Sequence, residues 1–294
     1  NNSCGTTSIV YGTTRDKVME LTVFLSDGSQ VVFGELSQAE FEAKCHYETL
    51  EGQLYRQVRQ ELSNPENQKN IEEQFPKKTI HRRNTGYAVD VLLESEIFTE
   101  GGGKFNFCKL LAGSEGTLAF TTEIKILLDP VPDPLEIVVA AHFESIHQSM
   151  KAAQVAMKHP ATAVELMDKI ILDCTKESIE YSKNRYFVEG DPMALLMIEF
   201  TGKTEVEARE KGDKLIADLK GAGLGYAYPV IGPDLTKSAW ALRSAGLGLL
   251  ANIPGDPKAV ACIEDTAVDI DDLADYIDEL DEILKGFNQN PVHY

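Results

Sequence analysis

The stretch GSEGTLAFTTEIKILLDPVPDP, residues 113–134, decides how the rest of the chain is read. Gly113 and Gly116 flank Ser114 and Glu115, and Thr117 follows. Glycine takes a positive φ without a Cβ clash and lets backbone N–H groups come close to a bound group. The pattern is neither G-x-x-x-x-G-K-[ST] nor G-x-G-x-x-G, and by itself it serves equally as a plain turn. From Leu118 the apolar residues alternate. Leu118, Phe120, Ile124, Ile126 and Leu128 fall on one side, and Ala119, Thr121, Glu123 and Lys125 on the other. That period predicts a strand with one buried face. The prolines of DPVPDP stop it, because proline cannot donate to a ladder, and they mark the best linker in the chain.

Outward from this stretch, VMELTVFLSDGSQVVFG (residues 18–34) predicts a hairpin turned at Asp27-Gly28. Ser37 and Glu40 form a capping box for a helix with Phe41, Cys45, Leu54, Val58 and Leu62 on one face. Gly52 is placed to break that helix, and SNPENQKN to end it. Arg82 and Arg83 are able to neutralise a phosphate or carboxylate, or to pair locally. Beyond residue 134 strands alternate with amphipathic helices, which predicts an open sheet with helices packed on it. Strands are expected in EIVVAAHF, TAVELMD, MALLMIEFTG, GYAYPVI and AVACIEDTAV, and helices begin at Ser145 and Thr204. The last helix carries eight acidic residues up to Glu282, mostly off its apolar stripe, which reads as a solvated face.

The 294 residues allow one large or two ordinary domains, and 43% apolar content suffices for a core. A net charge of -19 argues against a nucleic-acid partner, which needs Lys and Arg to displace counterions. Five cysteines without a C-x-x-C pair indicate neither a zinc site nor a disulfide framework. Six histidines are scattered without ligand spacing, so no metal site is assigned. No apolar run approaches the ~20 residues that span a bilayer, and no signal peptide is expected. Both ends read as cut from a longer polypeptide.

Three blocks, in order, carry a resemblance. They are NNSCGTTSIVYGTTRDKVMELTVFLSDG, HRRNTGYAVDVLLE with FNFCKLLAGSEGTLAF, and WALRSAGLG with KAVACIEDTAV. Together they resemble the FAD-linked oxidases of the vanillyl-alcohol oxidase type, and most of all the long bacterial D-2-hydroxy-acid dehydrogenases with fused flavin and iron–sulfur modules. The resemblance implies an α+β fold. Residues 1–133 are expected to form the second half of a PCMH-type FAD-binding domain, and residues 134–294 a ferredoxin-like cap domain. It implies that FAD is contacted by Asn2, Ser3, Gly5, Gly113, Ser114, Gly116, Thr117, Phe120 and Thr121. It implies that Arg243 of W-A-L-R binds the substrate carboxylate, with Glu264 bordering the pocket; the alternative is that Arg243 pairs with an acid such as Asp265. Arginine suits a carboxylate because its fork binds bidentately and stays charged.

The implied reaction is oxidation of a small D-2-hydroxy acid, of the lactate, glycolate or 2-hydroxyglutarate class, to the 2-oxo acid. Electrons would leave to an acceptor such as an iron–sulfur module of the same polypeptide. A cytoplasmic enzyme, free or peripheral to the membrane, is expected. The family's proline- and glycine-rich phosphate loop, its H-A-x-x-G-x-x-H motif and an iron–sulfur cysteine cluster do not occur in this sequence. The chain by itself is therefore expected to bind FAD weakly or not at all and to be inactive, with its catalytic base elsewhere. The competing reading is a non-catalytic ferredoxin-like module that binds a ligand or partner.

Overall fold

The computed structural model describes residues 1–294 except residues 1, 4, 84, 85, 177, 254, 257, 261, 264 and 265 and the side chains of residues 247 and 252. The chain divides into two units, Asn1–Pro130 and Val131–Tyr294.

In the first unit, short helices α1 (Ser8–Tyr11) and α2 (Thr14–Lys17) lead into strand β1 (Val18–Phe24). Gly28, at φ +82°, turns the chain back into β2 (Gln30–Phe33). Helices α3 (Gln38–Cys45), α4 (Leu50–Leu62), α5 (Pro65–Gln74), α6 (Val89–Leu93) and α7 (Cys108–Leu111) follow, and then β3 (Phe120–Ile126). The sheet is antiparallel in the order β2-β1-β3. Its inner face, Leu21, Val23, Val31 and Phe33, joins an aromatic core of Phe41, Tyr55, Phe105 and Phe107. Phe41–Phe105 and Tyr55–Phe107 centroids both lie 4.8 Å apart, in the tilted arrangements that aromatic quadrupoles favour.

Three expectations are corrected here. The helix from Ser37 breaks at residues 46–49, and Gly52 lies inside α4. A Cβ on Gly52 would stand 2.1 Å from the Tyr47 carbonyl oxygen, so this glycine admits a close backbone approach. SNPENQKN opens α5 instead of ending a helix, with Asn64 capping Glu66 N at 2.9 Å and Pro65 in the first turn. Finally, β3 is exposed along its whole length, Phe120 at 72% and Ile124 at 60%. It is an edge strand, and a bulge between the Thr22–Glu123 and Val23–Thr121 pairs interrupts its alternation. Phe120 therefore lies opposite exposed Phe24, whereas Ile124 lies opposite buried Leu21.

The second unit contains β4 (Leu135–Phe143), α8 (Ile146–Ala156), β5 (Ala163–Asp168), α9 (Lys169–Lys176), β6 (Ala194–Gly202), α10 (Glu205–Gly221), β7 (Val230–Ile231), α11 (Pro233–Leu249) and α12 (Leu273–Gly286). Sheet order is β5-β6-β4-β7 with antiparallel neighbours, the split βαβ arrangement of ferredoxin-like folds. The fold class is α+β. Ser145 and Thr204 cap α8 and α10. These two helices cover one face of the sheet, packing on Ile137, Val139, Ala141, Ile198 and Phe200. Helices α9 and α11 cover the other face, on Val138, Ala140, Met167, Leu195 and Met197. The described residues of AVACIEDTAV form no strand, because the four strands of this sheet come from other segments.

Candidate functional site

Residues with candidate roles gather at two places, one in each unit. In the first unit, α7 ends at Leu111 and the chain enters the glycine loop. Gly113, Glu115 and Gly116 all take positive φ, at 97°, 51° and 76°. Ser114 N donates to Leu111 O at 3.0 Å, and Thr117 Oγ1 donates to Ser114 O at 2.6 Å. Tyr87 OH shares a 2.7 Å hydrogen bond with Thr117 Oγ1 from outside the loop. The loop is thus a built turn with its own internal bonds, and Ser114 is buried within it.

The structure brings Asn2 against this loop through a residue that has no sequence-based role, Arg15. Arg15 is 7% exposed. Its Nε donates to Lys109 O and its Nη2 to Ala112 O, both at 2.9 Å. Its backbone N donates to Asn2 Oδ1 at 2.7 Å, and Lys109 Nζ returns a 2.9 Å bond to Arg15 O. Ser3 O accepts from Thr14 Oγ1 at 2.9 Å, which fixes the same N-terminal segment. Burial pulls the Arg15 guanidinium below its ordinary value, and the Asp90 carboxylate opposes that shift. Asp90 also pairs with Arg83, and Arg15, Phe75, Arg83, Gly86, Ala88 and Asp90 line a small cleft. Arg83 is thus locally paired rather than free for an anion.

Two features suit a flat polar group. Asn2 Nδ2 is a buried donor with no hydrogen-bond partner among the described residues. The Cβ positions of Gly5 and Gly116 face open space, so the backbone there is bare. Phe120 and Thr121 stand on β3 just beyond the loop, with Phe120 open to solvent. Burial pushes the thiol of Cys108, in α7, up to about 12, and Sγ donates to Phe33 O at 3.2 Å.

In the second unit, α11 presents Thr236, Trp240 and Arg243 at helical spacing to the sheet. Each meets a glutamate from a different strand. Thr236 Oγ1 donates to Glu136 Oε1 at 2.6 Å, Trp240 Nε1 to Glu199 Oε2 at 2.9 Å, and Arg243 Nη2 to Glu165 Oε2 at 2.6 Å. The Tyr294 ring covers the Arg243 guanidinium at 3.4 Å, and Tyr294 OH donates to Arg243 O at 2.6 Å. Arg243 Nε is buried and unpartnered among the described residues. Burial raises the Glu199 carboxyl above its ordinary value; the Thr162 hydroxyl at 2.7 Å lowers it, nearby Glu136 raises it, and the Trp240 donor lowers it. Glu264 and the alternative partner Asp265 lie outside the described residues. Glu165, Glu199 and Tyr294 had no sequence-based role. Among the described residues no group of three or more His, Cys, Asp or Glu is arranged to hold a metal.

Comparison with known proteins places the chain. Residues 134–294 match the family described as FAD linked oxidases, C-terminal domain. The D-2-hydroxyglutarate dehydrogenase of Pantoea ananatis is 30% identical over 96% of this chain and 28% of its own length. That of Pseudomonas putida is 28% identical over 97% of this chain, again 28% of its own length. The mitochondrial D-lactate dehydrogenase (cytochrome) of Arabidopsis thaliana is 26% identical over 64% of this chain and 32% of its own length. The chain thus spans under a third of the length of these relatives. A match over more than half its residues decides the assignment: the chain belongs to the FAD-linked oxidase family.

Proposed function

We propose that the complete protein is an FAD-dependent dehydrogenase that oxidises a D-2-hydroxy acid to the 2-oxo acid, with D-2-hydroxyglutarate the first candidate and D-lactate and glycolate behind it. The observation that carries this reading is the match of nearly the whole chain to proteins named D-2-hydroxyglutarate dehydrogenase. Bound FAD would supply the redox chemistry, as acceptor of the hydride.

The chain's own residues bind, orient and exclude water. Asn2, Ser3 and Gly5, with Gly113, Ser114, Gly116 and Thr117, hold the cofactor through bare backbone and small polar groups; Phe120 and Thr121 extend that wall. Arg243 anchors the substrate carboxylate, while Glu165 occupies Nη2 of the same guanidinium and fixes its plane. Glu264 borders the same pocket. The base that takes the hydroxyl proton is supplied from outside residues 1–294. A further centre, such as an iron–sulfur module of the same polypeptide, would accept the electrons. Residues 1–294 alone bind FAD below stoichiometry and do not turn over.

We place the enzyme in the cytoplasm, free or on the membrane surface; among the described residues no helix is long and apolar enough to cross a membrane. The test is the full-length protein, assayed with D- and L-2-hydroxy acids and an artificial dye acceptor. Reduction of the dye by D-2-hydroxyglutarate or another D-acid is expected. A colourless protein, without flavin absorbance and inert to the whole panel, sinks the proposal and favours a non-catalytic binding module.

A further inference from the structure

We infer that Arg15 is a positioning residue that locks Asn2 onto the loop of residues 113–117, so that the two form one flavin-facing wall of fixed shape. The inference rests on the proposed reading of these loops as flavin-binding.

Arg15 reaches across the sequence in both directions. It holds Asn2 through its backbone N–H and the end of α7 through two guanidinium donors, 94 and 97 residues away. Lys109 returns a bond to its carbonyl, so the α2–α7 contact is closed from both sides. The three parts meet at one point. A Cβ added to Gly113 would stand 2.9 Å from Arg15 Nη2 and 3.4 Å from Asn2 Cβ. The unpartnered Asn2 Nδ2 belongs to the same carboxamide whose oxygen Arg15 N–H holds. That bond sets which way the amide's free donor points.

Lysine does not replace this device, because one ammonium lacks the planar fork that bonds Lys109 O and Ala112 O together. Arg15 touches neither substrate nor cofactor in this scheme. It acts through Asn2 and the glycine loop.

The test uses the full-length protein. Arg15→Lys and Gly113→Ala are each compared with wild type for FAD dissociation constant, visible circular dichroism of the bound flavin, and urea midpoint of the apoprotein. Each variant is expected to bind FAD about tenfold more weakly, Arg15→Lys through loss of a charge-assisted bond and Gly113→Ala through the Cβ that crowds Arg15 Nη2. The flavin dichroism changes in both, over and above any fall in the apoprotein midpoint from the lost fork contacts. The double variant is less than additive, since both changes act on one contact. A purely structural Arg15 would lower the midpoint and leave the affinity and dichroism of the folded fraction untouched. Wild-type affinity and dichroism in folded Arg15→Lys, or in Gly113→Ala where the first variant does not fold, overturns the inference and leaves the flavin reading standing. Wild-type protein that takes up no FAD at all removes that reading itself, and the inference with it.

Discussion

Glu199→Gln is expected to stabilise the second unit at neutral pH. Glu199 is only 9% exposed, yet it carries a carboxyl on the face of the sheet beneath α11. Its two partners, the Trp240 indole and the Thr162 hydroxyl, are both retained by glutamine: the amide oxygen accepts from Trp240 Nε1, and the amide nitrogen donates to Thr162 Oγ1. Two bonds to a charged acceptor become neutral ones, which gives up about 2 kcal/mol. The desolvation of a buried carboxylate, several kcal/mol, disappears with the charge. The net gain is about 1 kcal/mol at pH near 7.5, or about 0.5 M in the urea midpoint.

The pH dependence follows from the direction of the shift. Burial raises the folded carboxyl above its unfolded value, so the folded state binds the proton more tightly. That contribution is complete below the unfolded glutamate value of about 4.3 and is lost as pH rises through the folded value. Glutamine never loses it, so the advantage of the variant grows with pH and vanishes in acid. Trp240 is the chain's one tryptophan, so its fluorescence in urea reports this unit selectively. A lower midpoint for the variant near pH 7.5, or an equal gain in acid and at neutral pH, refutes the reasoning.

Gly52→Ala drives a methyl group into the Tyr47 carbonyl and lowers stability of the first unit by about 2–3 kcal/mol, read from thermal melting followed by circular dichroism. At about pH 8 a thiol reagent modifies exposed Cys262 and leaves Cys108 untouched until the fold opens, as mass mapping of labelled peptides records. Arg243→Lys in the full-length protein raises KM for D-2-hydroxy acids about tenfold or more with flavin content unchanged; an unaltered KM takes Arg243 out of the substrate site.

The second unit is the more legible from sequence. MALLMIEFTG and EIVVAAHF are continuous apolar runs that only a covered sheet accommodates, and Ser145 and Thr204 announce their helices three residues before a bonded amide. Even there Glu199 passes unnoticed inside a run that reads as apolar. The first unit misleads where tertiary contact overrides local pattern. Alternation along β3 assumes a straight ladder, and one extra residue at the Thr22–Val23 step moves Phe120 and Ile124 to opposite faces. Gly52 looks like a breaker because its reason, a carbonyl of the preceding turn, is invisible in sequence. The glycine loop is legible through its glycines. Arg15 is not, since an arginine beside Asp16 in a four-residue helix resembles any surface charge, and only contacts nearly a hundred residues away give it a role.

The three inward glutamates of the second unit make sense as a register device for α11. Glu136, Glu199 and Glu165 stand on β4, β6 and β5. Each is one strand over and two residues along from the last, as the pairings of Glu136 with Thr201, of Ala163 with Glu199 and of Glu165 with Met197 show. They form a diagonal across the sheet, and the helix follows it with Thr236, Trp240 and Arg243. Apolar contacts alone are non-directional and let a helix slide by a turn at small cost. Sliding α11 would instead strand three buried or half-buried carboxylates at once, each at about 1–3 kcal/mol or more. The position of Arg243 is therefore set by Glu136 and Glu199 as well as by Glu165, and the guanidinium that faces the substrate in the proposed reaction is held by a row of contacts that begins seven residues earlier on the same helix.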